Sequence, residues 1–227
     1  MKKGIALVLS LLLLLLAGCG DTSSTVTGSA DVASDGTTTE TEAVSLAEQI
    51  EVTEYSYAVQ DLTMYYILFL KNNADTTVRA EVNLTAKDSA GNMVGAYSDT
   101  AYAIAPGQTS CVWTSFDDPG TVETVEYTMT ASEEPNYRSI FDTVTLEYNP
   151  LEDKVVVSAT NNDTQDAEYV RVVAVYLSGG EAVRFSEGFI GNDDLLLPAG
   201  ATLSAELDYY ADVPYEDVVI AFDGRFE

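Results

Sequence analysis

The chain matches itself, and this constrains its fold more than any other feature. At an offset of 89 residues, 55–94 align with 144–183 without a gap. Tyr55, Tyr57 and Val59 fall on Val144, Leu146 and Tyr148, and Leu62 falls on Leu151 in a turn. Asn72 and Asn73 fall on Asn161 and Asn162, while Leu84, Ala86, Gly91 and Val94 fall on Val173, Val175, Gly180 and Val183. Four extra residues around Asp193-Asp194 then change the offset to 93. Beyond them Gly107, Thr109, Glu123, Val125 and Tyr127 match Gly200, Thr202, Glu216, Val218 and Ile220. Self-similarity at a fixed period marks one structural unit used more than once. The chain is therefore expected to fold as a tandem duplication, with copies over 48–131 and 137–227 and a short proline-containing connector at 132–136.

Each copy reads as β structure. Val78, Ala80, Val82, Leu84 and Ala86 alternate with Arg79, Glu81, Asn83, Thr85 and Lys87, the period of a half-buried strand. Asp88 to Asn92 supplies a hairpin turn, and Pro106-Gly107 leads into a strand at 108–115. Tyr65 to Leu70 is an unbroken apolar run that suits a strand buried on both faces. Ser45 to Glu51 has room for one helical turn. Six or seven short strands in about 85 residues predict an all-β protein of two antiparallel, immunoglobulin-like β-sandwiches. In the second copy YVRVVAVYL, 169–177, is apolar at every position except Arg171. Such a strand either lies under a neighbouring loop or docks its second face on the first copy or a partner. The repeated Asn-Asn is expected to be a turn device, since Asn tolerates the left-handed backbone and bonds its own turn. The alternative is a ligand site used twice.

The N-terminus is of another kind. Met1-Lys2-Lys3 precedes an apolar run from Gly4 to Ala17 broken only by Ser10, a secretory pattern too short for a comfortable membrane span. Leu16-Ala17-Gly18-Cys19 resembles the lipobox of bacterial lipoproteins. The resemblance implies a signal peptide over 1–18 and a diacylglyceryl thioether on Cys19, which becomes the mature N-terminus. Two or more acyl chains make a stable anchor; the alternative is a plain signal peptide with a chance cysteine. Residues 19–47 are Ser, Thr, Gly, Ala and acids without an aromatic residue, so they are expected to form a disordered acidic tether. The expected location is the extracytoplasmic side of a cell membrane. With 10 basic against 37 acidic residues the net charge is −27, which disfavours nucleic acid as a partner.

The repeated unit also resembles the FxLYD-like domains, immunoglobulin-like modules of bacterial secreted lipoproteins. Leu84-Thr85-Ala86-Lys87-Asp88 with Gly91, and Val173-Ala174-Val175-Tyr176-Leu177 with Gly180, carry that resemblance. It implies fold and location over roughly 50–227 and transfers no catalytic residue or cofactor.

Chemistry is sparse. There is no His among 227 residues, which removes the usual general base and the commonest zinc ligand. Cys111, whose second-copy counterpart is Ser204, reads as a small packing residue, the alternative being a reactive thiol. Of the acidic pairs, Asp117-Asp118 and Asp193-Asp194 are the candidate cation-binding loops, in what read as comparable places of the two copies. Two acids across a cleft would be needed for a carboxylate hydrolase. The clustered tyrosines Tyr55, Tyr57, Tyr65, Tyr66, Tyr209, Tyr210 and Tyr215 either pack the core or form an exposed platform for sugars or a protein partner. The expectation is a non-enzymatic, membrane-anchored binding or spacer module without a cofactor. The alternative is an accessory lipoprotein that captures carbohydrate or peptide for a surface transporter or hydrolase.

Overall fold

The computed structural model of the chain describes residues 45–60, 62–210 and 213–227, all within one compact unit, Glu42–Glu227. Leu16, Ala17, Gly18, Cys19 and nearly all of the expected tether lie outside the described residues. A single 3-10 turn at Ala47–Gln49 precedes the first strand.

Among the described residues, fourteen strands build four sheets. In the first half β1 (Ile50–Val59), β2 (Thr63–Asn72) and β5 (Thr109–Asp117) form a sheet in the order β1-β2-β5. The strands β3 (Val78–Lys87), β4 (Met93–Ile104) and β6 (Thr124–Glu133) form a second, β4-β3-β6. The second half repeats this plan. Here β8 (Val144–Pro150), β9 (Lys154–Asn161) and β13 (Thr202–Asp208) run β13-β9-β8, and β10 (Ala167–Ser178), β11 (Glu181–Phe189) and β14 (Asp217–Phe226) run β11-β10-β14. Two short strands extend the last sheet, β7 (Arg138–Ser139) beside β14 and β12 (Leu196–Leu197) beside β10. Every pairing is antiparallel, and the fold is all-β, a sandwich in each half.

Three apolar layers hold the sheets together. The alternating face of β3 (Val78, Ala80, Val82, Leu84, Ala86) packs with Leu68, Leu70 and Val112 inside the first sandwich. Val155, Val157 and Ala159 pack with Val170, Val172, Ala174 and Tyr176 inside the second. Between the sandwiches lies a third layer: Ile67, Phe69 and Cys111 against Val173, Val175 and Ala221, flanked by Tyr55, Tyr57, Tyr65, Trp113 and Phe185. This resolves the apolar strand 169–177. Its second face is covered by the β1-β2-β5 sheet of the first copy, not by a loop. A fully buried aliphatic side chain contributes about 1.5–3 kcal/mol. Ile67, Val173 and Val175 alone therefore supply ample free energy to dock two units that the connector already keeps close.

The docking is head to tail, because equivalent sheets do not meet. The faces left outside are polar at most of the positions that are apolar inside, Val156 in the place of Ile67 being the exception. With β2 and β5 superposed on β9 and β13, Phe69 corresponds to Ser158, Cys111 to Ser204 and Trp113 to Glu206. Ser158 and Ser204 bridge through their hydroxyls at 2.7 Å, and Thr160 and Thr202 at 2.8 Å. On the other outer face the positions of Val173 and Val175 are held by Asn83 and Thr85. A head-to-tail contact can propagate; these polar faces cap it at two units.

Two registers differ from the gapless alignment. Val144 pairs with Asn161 as Ile50 pairs with Asn72, so Ile50, not Tyr55, is its counterpart. The hairpin between β8 and β9 is shorter than that between β1 and β2, while Tyr55 and Tyr57 face the inter-sandwich layer. In β10 a bulge between Glu168 and Arg171 inserts one residue. A one-residue slip turns every later side chain to the opposite face. The inward counterparts of Leu84 and Ala86 are therefore Ala174 and Tyr176, not Val173 and Val175.

The repeated asparagine is structural and bonds its own turn as expected, but without the left-handed backbone. None of Asn72, Asn73, Asn161 and Asn162 has positive φ. Asn72 is fully buried: its amide donates to Thr76 O and Ile104 O, both at 2.8 Å, and its Oδ1 accepts from Ala74 N at 2.9 Å. Asn161 repeats this, donating to Gln165 O at 2.8 Å and Leu197 O at 2.9 Å and accepting from Asp163 N at 2.9 Å. Gly107 N donates to Asn72 O and Gly200 N to Asn161 O, so each Asn ties its own corner to the Pro-Gly or Ala-Gly turn beside it.

Candidate functional site

The junction of the sandwiches is where polar chemistry concentrates. Trp113 Nε1 donates to Glu187 Oε2 at 2.9 Å, and Ser110 Oγ to Asp223 Oδ2 at 2.6 Å, both across the junction. Arg171, the one break in the apolar strand, makes a bidentate pair with Asp223 (2.7 and 3.1 Å) and donates to Cys111 O at 2.5 Å. Burial would push its guanidinium down, but the Asp223 carboxylate outweighs this and holds it above its ordinary value. Gln108, fully buried, accepts from Ala105 N and Ser139 Oγ and donates to Phe222 O at 3.1 Å.

Beside this lock a cavity of about 180 Å³ opens, lined by residues of β4, β10, β11 and β14. From β4 come Asp99 and Tyr102; from β10, Tyr169 and Arg171; from the end of β11, Phe189; from β14, Asp223 and Arg225. Tyr102, Tyr169 and Phe189 are 39%, 45% and 43% exposed. Both tyrosines sit at bulges. Tyr169 has φ 51° and, with Val170, opposes the single residue Gly224; Tyr102, with Ala103 at φ 50°, opposes Arg79. Positive φ in a bulky residue is strained and recurs at functional sites, and bulges re-aim side chains there. Gly224 is required: at φ 154° a Cβ would lie 2.9 Å from Ile140 Cδ1 and 3.1 Å from Glu168 O.

Arg225 is the centre of the wall. Its guanidinium lies 4.2 Å from the Tyr137 ring, 4.8 Å from Tyr169 and 5.9 Å from Tyr102, with Glu168 Oε2 3.7 Å from its Nε. Among the described residues it finds no hydrogen-bond acceptor, and its buried Nε is unsatisfied. Arg225 is therefore held by aromatic faces and the Glu168 charge. On β4, Asp99 accepts from Thr100 N at 2.7 Å and from Tyr97 OH at 3.4 Å.

The residues singled out from sequence lie elsewhere. Asp117 ends β5, and Asp118 follows it at φ 58° with its N–H donating to Leu62 O. Asp193 and Asp194 lie in the turn between β11 and β12, organised by Asn192 Oδ1, which accepts from Asp194 N and Leu196 N. The pairs thus occupy different loops, β5–β6 and β11–β12, not comparable ones. Among the described residues no group of three or more acidic or Cys side chains converges to hold a metal ion. Cys111 is buried, and burial pushes its thiol well up, away from the reactive thiolate.

Most of the clustered tyrosines are used in packing. Tyr57 stacks on Tyr65 at 5.1 Å, and Tyr65 lies 5.3 Å from Phe185 across the junction. The buried Tyr66 hydroxyl donates to Glu54. Tyr176, Tyr209 and Tyr215 form a triangle with ring separations of 4.8–4.9 Å. Tyr210 is 71% exposed but lies outside the cavity. Tyr102, Tyr169, Phe189 and Arg225 escaped the sequence reading. The positive-φ bulges that aim the two tyrosines leave no mark in composition or alternation.

No family model matches the chain, and no curated protein matches it. Among solved structures it is similar to red sea bream transglutaminase at 12% identity, over 78% of this chain and 29% of that one, with a TM-score of 0.26. A likeness this loose carries no argument.

Proposed function

We propose that the chain is a non-catalytic binding module held at the extracytoplasmic face of a membrane, in which two docked immunoglobulin-like sandwiches present the junction cavity as one rigid site. The observation that carries this is the inter-sandwich layer with its polar lock. A linker would have sufficed to space two independent domains, whereas here side chains of both copies are fixed around one cavity. Sites built on strands hold geometry better than sites on loops, and cavities favour domain junctions. Attachment rests on the lipobox-like Leu16-Ala17-Gly18-Cys19, and the FxLYD-like resemblance is consistent with such a surface role. The absence of His from the chain and the suppressed thiol of Cys111 support a non-catalytic reading.

Expression of the full chain in a bacterial host that processes lipoproteins tests the anchoring. The wild-type protein should partition with membranes and into detergent, and Cys19→Ala should shift it to the soluble fraction. Equal partitioning of the two would refute lipid attachment at Cys19.

A further inference from the structure

We propose that the junction cavity binds a single neutral sugar ring, the exposed hexopyranose of a glycan. This rests on the binding-module reading and names the ligand class for that site.

Size is the first argument. About 180 Å³ accommodates one ring or one side chain. The second is the aromatic content. While most of the clustered tyrosines pack among themselves, Tyr102, Tyr169 and Phe189 remain 39–45% exposed around this one cavity. Arg225 lies over one face of Tyr169 and near Tyr102, whereas Phe189 has no ring or cation contact among the described residues, and its electron-rich face suits the C–H face of a pyranose.

Charge is the third. Arg171 is neutralised by Asp223, and Arg225 faces Glu168, which leaves Asp99 as the carboxylate of the wall outside these ion pairs. An anionic ligand would meet Asp99 in a half-desolvated site, and the field of a chain with net charge −27 opposes it on approach. The fourth is hydrogen bonding. Arg225 lines the cavity with guanidinium N–H donors and Asp99 with a carboxylate. A sugar presents hydroxyls that both accept and donate, and so serves the two groups together. Glu168 and Asp223 fix the arginines and are positioning residues in this arrangement.

Titration calorimetry of the intact protein with D-glucose, D-galactose, D-mannose and N-acetyl-D-glucosamine at millimolar concentrations tests the inference. At least one should bind saturably. Tyr102→Ala and Phe189→Ala should each weaken that binding by about tenfold, with melting temperatures close to wild type, and Tyr210→Ala should leave it unchanged. Should Tyr102→Ala lower the melting temperature, Phe189→Tyr, which keeps the aromatic face, is expected to retain binding that Phe189→Ala loses. Absence of saturable binding by all four sugars, or binding indifferent to both alanine substitutions, overturns the proposal. Binding of L-alanine or L-glutamate that Tyr102→Ala weakens, with no sugar bound, would overturn the sugar class and leave the binding-module reading standing. Failure of Cys19→Ala to release the protein bears on the anchor alone.

Discussion

Asn72 and Asn161 are the residues on which each corner depends. Each satisfies three backbone groups in a buried place, two carbonyls and one N–H. Leaving buried polar groups without partners costs about 1–3 kcal/mol each. Asn72→Ala or Asn161→Ala should therefore lower stability by about 3 kcal/mol or more, read from the denaturation midpoint. Their neighbours Asn73 and Asn162 are exposed to solvent in their side-chain bonds, and the same substitution there should cost about 1 kcal/mol or less. The repeat itself was legible, because identical punctuation recurs in two otherwise divergent copies. The identity of the critical Asn within the pair was not, since burial depends on Ile104 and Leu197, strands away in sequence.

Among the elements, β1 and β10 show why phase was harder to read than strand content. Strict alternation in β3 located its buried face without ambiguity. In β10 both faces are apolar, so alternation has no phase to report and the bulge at Tyr169 passes unseen. The same is true of β1: Ile50 and Val52 face the first core, whereas Tyr55 and Tyr57 face the junction. That packing has a pH signature. Burial pushes the Tyr57 phenol up to about 12, and burial followed by the nearby Asp217 charge raises that of Tyr55. An unfolded tyrosine ionises near pH ~10, so above that pH the unfolded chain releases protons that the folded chain retains. Stability is fully present below pH ~10 and falls as pH rises toward ~12. Denaturation midpoints measured across this window should decline, and Tyr57→Phe should make the decline shallower.

At the scale of the whole molecule, two copies of one fold have diverged according to what each face must meet. The first copy's β1-β2-β5 sheet carries Phe69 and Trp113 where the second copy's equivalent sheet carries Ser158 and Glu206. That asymmetry lets the pair dock once and then stop. It also explains why the cavity could not be located from sequence: its walls come from β4 in one copy and β10, β11 and β14 in the other, and exist only after docking. Trp113, the single tryptophan of the chain, sits in this junction, its ring 4.7 Å from Phe185 and its Nε1 bonded to Glu187 of the other sandwich. Acrylamide quenching of its fluorescence therefore reads docking directly. The native protein should be quenched several-fold less than Val175→Asp, a variant that places a charge in the junction layer while far-UV circular dichroism shows both sandwiches still folded. A native Trp113 as open to acrylamide as that of the folded variant would contradict the docked arrangement.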